Sequence, residues 1–291
     1  LSPGGTPVLL TPGNYMLEHI KLTKDGKWII ASANTGKDTN DLHRRHIIKV
    51  PVDEPALEVL TQGDGIETFP VPVNDGKNIV FLSATAQRPA VAAIIPFTGG
   101  KIKLIGESLI PKDFPSSQFI IPKPVSFKAA DGLTVYGQLF EPPVRKNKNP
   151  AVIFVHGGPE RQMLLGWHYG DYYANTYALN QYLASIGFVV LSVNYRLGIG
   201  YGFEFQNPPH SWIYGASEYL DIKAAGEWLM RQPYIDTENI GIYGGSYGGF
   251  LTALALGKDS KIFKAGVDIH GVHNMTNEYP SLEGEQAPDA A

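Results

Sequence analysis

The sequence predicts an all-β region followed by a larger α/β domain with a mostly parallel sheet. Three observations in the 291 residues support this prediction. The first hundred residues contain an internal repeat of β-forming segments, and residues 106–124 carry four prolines without sustained periodicity. From residue 125 onward, short apolar runs alternate with helical patterns. We therefore expect a β region over 1–105, a linker over 106–124 and an α/β domain over 125–291.

The repeat joins two segments, "LTKDGKWIIASA" (22–33) and "PVNDGKNIVFLSA" (72–84), whose Asp25 and Asp75 lie fifty residues apart. In each segment an Asp-Gly turn leads into an apolar run, which indicates a hairpin. Repeats of this length with several strands each are typical of β-propeller blades. We interpret residues 1–105 as about two blades, the C-terminal part of a propeller, because two blades cannot close one. Two unrelated hairpins are the alternative.

The second part of the chain is predicted to form alternating strands and helices. A hairpin is expected at 125–142, strands at 151–158, 188–196, 239–245 and 264–271, and helices at 173–187, 217–231 and 247–257. Gly187 is the expected C-terminal cap of the first helix, and Ser217 the expected N-cap of the second.

Composition excludes several classes of protein and site. The chain is 43% hydrophobic and 18% charged, as in globular proteins, and has a net charge of −4 with both signs interspersed. This charge gives no basis for binding nucleic acid, and the apolar runs are too short for membrane insertion. The lack of cysteine excludes disulfides and thiolate metal sites. No signal peptide is visible, and the start at Leu1 suggests a piece of a longer protein.

Ser246 is the candidate nucleophile, because residues 244–248 match G-x-S-x-G between a predicted strand and a predicted helix. The alternative is a small turn residue without a catalytic role. Two oxyanion donors are available, the backbone N–H of Tyr247 and the glycine turn "HGGP" (156–159). His156 precedes the serine, the wrong chain order for a base in this type of fold, so we expect it to shape the turn.

A second cluster follows the nucleophile in "VDIHGVH" (267–273). Strand alternation places Asp268 and His270 on one face, with His273 nearby. This strand is the first after the serine, so these residues are poorly placed for a catalytic triad. A metal site built from the three side chains is the alternative, although such spacing is more often structural.

The chain resembles the prolyl oligopeptidase family of serine peptidases, specifically its dipeptidyl-peptidase and acylaminoacyl-peptidase relatives. Four motifs carry this resemblance along the whole chain: "HGGP" (156–159), "LSVNYRLGIGYG" (191–202), "GIYGGSYGG" (241–249) and "AGVDIHGVHNM" (265–275). The implied fold is the α/β-hydrolase fold preceded by propeller blades. The chain would then be a fragment truncated at both ends.

The resemblance also implies roles for individual residues. Ser246 would be the acylating nucleophile, with the N–H groups of Tyr247 and Gly158 binding the oxyanion and His156 supporting it. An apolar substrate pocket would be lined by three residues, namely Tyr247, Val272 and Met275. The matching acid and histidine of the triad would lie beyond Ala291.

The predicted function is hydrolysis of short peptides by a serine peptidase, of dipeptidyl, acylaminoacyl or oligopeptidase type, through an acyl-enzyme on Ser246 and without a cofactor. Without the triad's acid and base, the isolated chain is expected to be inactive. Alternatives are a carboxylesterase of the same fold and a catalytically silent binding module. The prediction leaves a homo-oligomer open, and the lack of cysteine and the likeness to exported bacterial relatives favour the periplasm or secretion over the cytoplasm.

Overall fold

The computed structural model describes residues 5–274, which fall into two compact units. The first unit extends to Phe119 and also includes the short segment Gly166–Tyr169. The second unit consists of Ile120–Leu165 and the chain from Gly170 onward. The division after Phe119 falls inside the proline-rich segment, whereas nothing in the sequence separates Gly166–Tyr169 from its neighbours.

The first unit contains two four-stranded antiparallel sheets, each formed by strands in chain order. One sheet comprises β1 (Leu17–Leu22), β2 (Trp28–Ala33), β3 (His46–Pro51) and β4 (Glu58–Val59). The other comprises β5 (Ile66–Pro72), β6 (Asn78–Ala84), β7 (Val91–Pro96) and β8 (Lys103–Leu104). Short 3-10 helices lie at Thr39–His43, Glu107–Leu109 and Ser116–Gln118. Each sheet has the four-stranded form of a propeller blade.

The repeat in the sequence extends to backbone irregularities. The first strand of each sheet carries a bulge, at the positions of His19 and Phe69. Both residues have positive φ angles, 54° and 53°, a conformation that is uncommon for side chains of this size. Like the aspartates of the two hairpin turns, His19 and Phe69 are fifty residues apart. The two sheets are therefore copies of one structural unit.

Close packing explains why Gly166–Tyr169 belongs to the first unit. A Cβ on Gly166 would lie 2.8 Å from the carbonyl oxygen of Thr85, so only glycine allows the backbones to approach this closely. Tyr169 donates a hydrogen bond of 2.7 Å from its hydroxyl to the carboxylate of Glu18. These contacts depend on partners more than eighty residues away along the chain.

The second unit contains a six-stranded mixed sheet with the order β14-β13-β11-β12-β10-β9. Its strands are β9 (Lys123–Lys128), β10 (Thr134–Phe140), β11 (Asn149–Val155), β12 (Val189–Asn194), β13 (Ile235–Gly245) and β14 (Ala265–Ile269). β11 to β14 pair in parallel, whereas β9 and β10 form the predicted hairpin and join the sheet antiparallel to β12. This sheet confirms the predicted α/β class.

The helices of the second unit are α1 (Asp171–Ser185), α2 (Phe203–Gln206), α3 (Tyr219–Met230) and α4 (Tyr247–Lys258), with a 3-10 turn at Trp212–Tyr214. Gly187 follows the end of α1 with φ of 107°, and its N–H donates to Ala184 as a C-terminal cap would. The predicted N-cap of α3 is wrong. Ser217 donates its hydroxyl to Pro209, and Glu218 precedes the helix instead.

The core of the second unit lies against the sheet. All six residues of β12 are buried, because strands flank it on both edges and apolar side chains cover both faces. Helix α3 and helix α4 contribute Ile222, Leu229, Leu251 and Ala255 to the same cluster. No helix within residues 5–274 combines the length and apolarity that crossing a membrane requires.

Candidate active site

Ser246 lies in the turn between β13 and α4, as the G-x-S-x-G pattern predicted. Its backbone has φ 56° and ψ −119°, a sparsely populated conformation for a residue with a side chain. The turn is held from both sides, because the N–H of Ser246 donates to Ile269 at 3.0 Å and its carbonyl accepts from Gly249 at 2.9 Å. Strain that the surrounding structure enforces is typical of active-site turns.

Glycines beside the serine allow β13, α4 and the end of β11 to approach one another. A Cβ on Gly244 would lie 2.5 Å from the carbonyl oxygens of Val155 and Gly248. A Cβ on Gly248 would collide with the same Val155 oxygen and lie 2.9 Å from that of His156. The flanking positions must therefore lack side chains if the serine is to sit at the end of the central strands.

The "HGGP" turn lies next to the serine. A Cβ on Gly157 would be 3.1 Å from the Cβ of Ser246 and 2.7 Å from the carbonyl oxygen of Gly245. The next residue, Gly158, has φ of 122°, which strongly favours glycine. Tyr247 is the first residue of α4, so its N–H has no partner within the helix. The structure thus brings the serine close to the glycine turn and to the N-terminus of a helix.

His156 is fully buried beneath this turn. Its Nδ1 lies 3.0 Å from the carbonyl oxygen of Gly157, and its ring stacks on Tyr195 at 4.4 Å between centroids. Burial, with a smaller contribution from the charge of Arg161, lowers the pKa of His156 to about 4. The ring is therefore neutral near pH 7, and its contacts are with the turn and with Tyr195.

The side chain of Tyr247 does not face a substrate site. Its ring is only 5% exposed, and its hydroxyl donates to the carboxylate of Glu218, which is itself fully buried. Burial and the charge of Glu218 raise the pKa of this hydroxyl well above its ordinary value. The predicted pocket role of the Tyr247 ring does not fit this geometry, which leaves its backbone N–H as the group a substrate could contact.

Two residues near the turn were not identified from the sequence, Arg161 and Tyr173. The hydroxyl of Tyr173 donates to the carbonyl of Gly157 at 3.1 Å and accepts from Nε of Arg161 at 3.2 Å. Tyr173 lies in helix α1, twelve residues after Arg161, so the pattern of the "HGGP" motif gives no signal for either contact.

The "NYR" segment (194–196) contributes Arg196, which forms a buried ion pair next to the segment that carries Tyr195. The guanidinium of Arg196 contacts both oxygens of Asp221 in α3, with Nε at 3.0 and 3.1 Å. It also contacts Asp131 of the β9–β10 turn, at 2.5 Å from Nη1. Burial opposes the charge, but the two carboxylates outweigh it and raise the pKa of Arg196 above its ordinary value. This cluster links the β9–β10 hairpin, α3 and the segment that follows β12.

The Asp268 cluster forms a pair rather than a metal site. His273 Nε2 lies 2.5 Å from Asp268 Oδ2, while the ring of His270 packs edge-on to Tyr172 at 6.1 Å. Within residues 5–274, no group of three or more histidine, aspartate or glutamate side chains could hold a metal ion. Of the predicted pocket residues, Val272 is half-buried. Met275 lies outside the described residues.

An apolar hollow of about 260 Å³ lies beside the nucleophile turn. It is bounded by Gly245 and Ile269 on the sheet and by Tyr172 and Leu179 on α1. A Cβ on Gly245 would crowd the ring of Tyr172 and lie 3.5 Å from that of His270. Glycine before the serine therefore keeps this side of the turn open to α1.

Part of the second unit matches a known family model. Residues 160–285, which include Ser246 but not the "HGGP" turn, match the prolyl oligopeptidase family, Peptidase_S9.

Curated proteins of this type are similar to the chain over different lengths. The uncharacterized peptidase YuxL of Bacillus subtilis is 34% identical over 157 residues, which is 53% of this chain and 22% of that protein. Dipeptidyl aminopeptidase BIII of Pseudoxanthomonas mexicana is 29% identical over 246 residues, 78% of this chain and 32% of that protein. The chain therefore spans less than half the length of these relatives.

A solved structure shows the same fold. Acylaminoacyl peptidase from Pyrococcus horikoshii superimposes with a TM-score of 0.71 at 23% sequence identity, over 92% of this chain and 39% of that one. This match covers the blades and the α/β unit, and it confirms the predicted combination of propeller blades with an α/β-hydrolase fold. With the family match, it confirms the resemblance drawn from the four motifs. Over residues 160–285, the chain is therefore similar to the prolyl oligopeptidase family.

Proposed function

We propose that the protein containing this chain is a serine peptidase in which Ser246 attacks the carbonyl of a peptide bond. The backbone N–H groups of Tyr247 and Gly158 stabilise the negative charge of the tetrahedral intermediate. A histidine from outside residues 5–274 takes the proton of the serine and later gives it to the leaving amine. The acyl group stays on Ser246 until water releases it, and the reaction needs no cofactor.

The strained backbone of Ser246, set between β13 and α4, is the observation that supports this proposal most directly. A serine that served only as a small turn residue would not require φ 56° and ψ −119° between Gly244 and Gly248, whose backbone contacts admit no side chain. The N-terminus of α4 also favours negative charge at the position next to the serine.

His156 does not supply the base in this proposal, because its ring is buried and neutral beneath the turn. His273 faces Asp268 on the strand after the nucleophile, where a triad histidine is not expected. We therefore propose that a polypeptide of residues 1–291 alone turns over peptides at least about a thousandfold more slowly than the whole protein, since oxyanion stabilisation alone remains.

The substrates we propose are short peptides cleaved near their N-terminus. This proposal rests on similarity to proteins named dipeptidyl aminopeptidase and acylaminoacyl peptidase. The apolar hollow beside Gly245 is a candidate site for an apolar side chain of such a peptide. An esterase of the same fold would share the serine and the turn, so the choice of leaving group separates the two activities.

The test is hydrolysis by the whole protein of matched dipeptidyl and acetyl-aminoacyl anilides, together with the corresponding simple esters. We expect amide hydrolysis that is lost in Ser246→Ala, while Ser185→Ala, an exposed helix residue, retains it. Hydrolysis of esters without measurable hydrolysis of anilides would replace the peptidase proposal with the esterase. Amide hydrolysis that persists in Ser246→Ala would contradict the assignment of the nucleophile.

A further inference from the structure

Arg161 lies directly against the turn that faces the nucleophile. A Cβ on Gly158 would be 2.7 Å from Cγ of Arg161 and 3.2 Å from its Nε. The side chain therefore folds back over the glycine whose N–H is the proposed oxyanion donor.

Hydrogen bonds hold both the backbone and the side chain of Arg161 in place. Its carbonyl accepts from the N–H of Ile199 at 3.1 Å, and its N–H donates to Pro159 at 2.7 Å. Its Nε donates to the hydroxyl of Tyr173, whose ring lies 5.5 Å from the guanidinium carbon. An arginine held in this way loses little conformational freedom when it binds a ligand.

The charge of Arg161 has no acidic partner within residues 5–274. Of the other arginines of the second unit, Arg145 and Arg196 contact glutamate or aspartate carboxylates, whereas the exposed Arg231 forms no ion pair within the described residues and lies far along the chain from the turn. Arg161 instead contacts a neutral phenol through one nitrogen, and its residue is exposed to solvent. Its two terminal nitrogens therefore keep their donors for a ligand, in the fork geometry that suits a carboxylate.

We propose that Arg161 binds a substrate carboxylate close to the scissile bond and makes the enzyme prefer peptides that carry one. This inference rests on the proposed peptidase function, since Arg161 acts on the substrate of the same site. The carboxylate is either the C-terminus of a short peptide or an acidic side chain near the cleaved bond. Both present the same two oxygens to the guanidinium.

The experiment compares kcat/KM of the whole protein on two matched pairs of peptides. In the first pair, a single residue follows the cleaved bond, and it ends in a free carboxylate in one peptide and in a carboxamide in the other. The other pair ends in a carboxamide and places Glu or Gln next to the cleaved bond. An exposed guanidinium–carboxylate contact predicts a preference of about three- to tenfold for the charged member of one pair. This preference should weaken as ionic strength rises.

Three variants test whether Arg161 causes the preference. Arg161→Gln should abolish it by bringing the charged-to-neutral ratio of kcat/KM to about one, whatever its effect on the neutral peptide alone. Arg161→Lys should keep part of it, since lysine retains the charge but not the fork. Arg231→Gln, an exposed arginine just after α3, is the matched control and should retain the full preference.

The outcomes separate this inference from the function on which it depends. A preference in the first pair identifies the C-terminal carboxylate, and one in the second pair identifies an acidic side chain. Hydrolysis by Ser246 with charged-to-neutral ratios that are the same in wild type and Arg161→Gln overturns the inference and leaves the peptidase intact. Absence of both hydrolysis and covalent labelling of Ser246 overturns the peptidase, and the inference with it.

Discussion

Helix α4, which begins at the residue after Ser246, is joined by a buried hydrogen bond to Glu218, the residue that precedes α3. The hydroxyl of Tyr247 donates to Glu218, a fully buried carboxylate that also accepts from the N–H of Trp212 at 3.1 and 3.3 Å. Tyr247→Phe removes the shorter of these hydrogen bonds. The buried carboxylate of Glu218 then keeps the Trp212 N–H as its remaining donor among these two.

The cost of this change follows from the burial of both partners. A hydrogen bond to a charged group contributes about 1.5–3 kcal/mol, and a buried carboxylate that loses a donor keeps its desolvation penalty. We expect Tyr247→Phe to lower the free energy of unfolding by about 2–3 kcal/mol, which is about 5–10 °C in Tm for a domain of this size. Glu218→Met should cost a similar amount, because it leaves the phenol and the Trp212 N–H without their acceptor.

The assay is a double-mutant cycle measured by urea unfolding, with the rate of fluorophosphonate reaction at Ser246 as a second readout. Tyr247→Phe combined with Glu218→Met removes both partners, so it should cost less than the sum of the single variants by about 2 kcal/mol. If the two single effects add to within about 0.5 kcal/mol, the hydrogen bond does not hold the helix as described.

Three further predictions concern the turn and its support. Gly248→Ala should lower the free energy of unfolding by about 3 kcal/mol, because the new Cβ meets the Val155 carbonyl. Gly257→Ala lies in open space on the same helix and should instead raise the free energy of unfolding by about 0.5–1 kcal/mol. Equal effects in urea unfolding would contradict this. Because burial holds the pKa of His156 at about 4, below its ordinary 6.5, its contribution to stability is present above pH 6.5 and is lost toward pH 4. His156→Phe should reduce the slope of unfolding free energy against pH by up to about 1.4 kcal/mol per unit, and an unchanged slope would refute burial of the neutral ring. Arg196→Met should cost about 3–5 kcal/mol, because the buried carboxylate of Asp221 loses the guanidinium and keeps only the backbone N–H of residue 196 as a donor. Asp221→Leu added to it should recover part of that stability, as thermal unfolding would show.

The blades and the nucleophile turn were accessible from the sequence because their signals are local. An Asp-Gly turn followed by an apolar run specifies a hairpin over about ten residues, and its recurrence after fifty residues identified the repeat. The glycines around Ser246 are likewise adjacent in sequence, although the groups that require them, such as the Val155 carbonyl, lie far away in the chain.

Features that depend on distant partners were missed or misassigned. Ser217 has the residue type of an N-cap, but its hydroxyl reaches Pro209, and the carboxylate of Glu218 is directed to Trp212 and Tyr247. The tyrosine after Ser246 suggested a substrate contact, yet its ring is buried and its hydroxyl donates to Glu218, the buried residue that precedes α3. The pairing of Tyr247 with Glu218 has no local pattern, because the two residues are 29 apart in the chain and meet only once α3 and α4 pack.

The arginine and tyrosine at the glycine turn illustrate the same limit for function. Arg161 follows the "HGGP" motif by two residues and has no distinguishing pattern in the sequence. Its significance comes from the position of Tyr173 on α1, which holds the guanidinium beside Gly158. The proposed role of Arg161 therefore depends on the packed turn, whereas Ser246 is recognised as the candidate nucleophile from five consecutive residues.

The central claim, that Ser246 is an activated nucleophile, is tested most directly by covalent labelling of the whole protein. A fluorophosphonate probe should form one adduct, which tandem mass spectrometry should locate on Ser246 within "GGSYGG". Prior denaturation should abolish the labelling, because the reactivity depends on the folded turn and its partners. An active, folded protein that is labelled elsewhere, or left unlabelled at Ser246, would contradict the account.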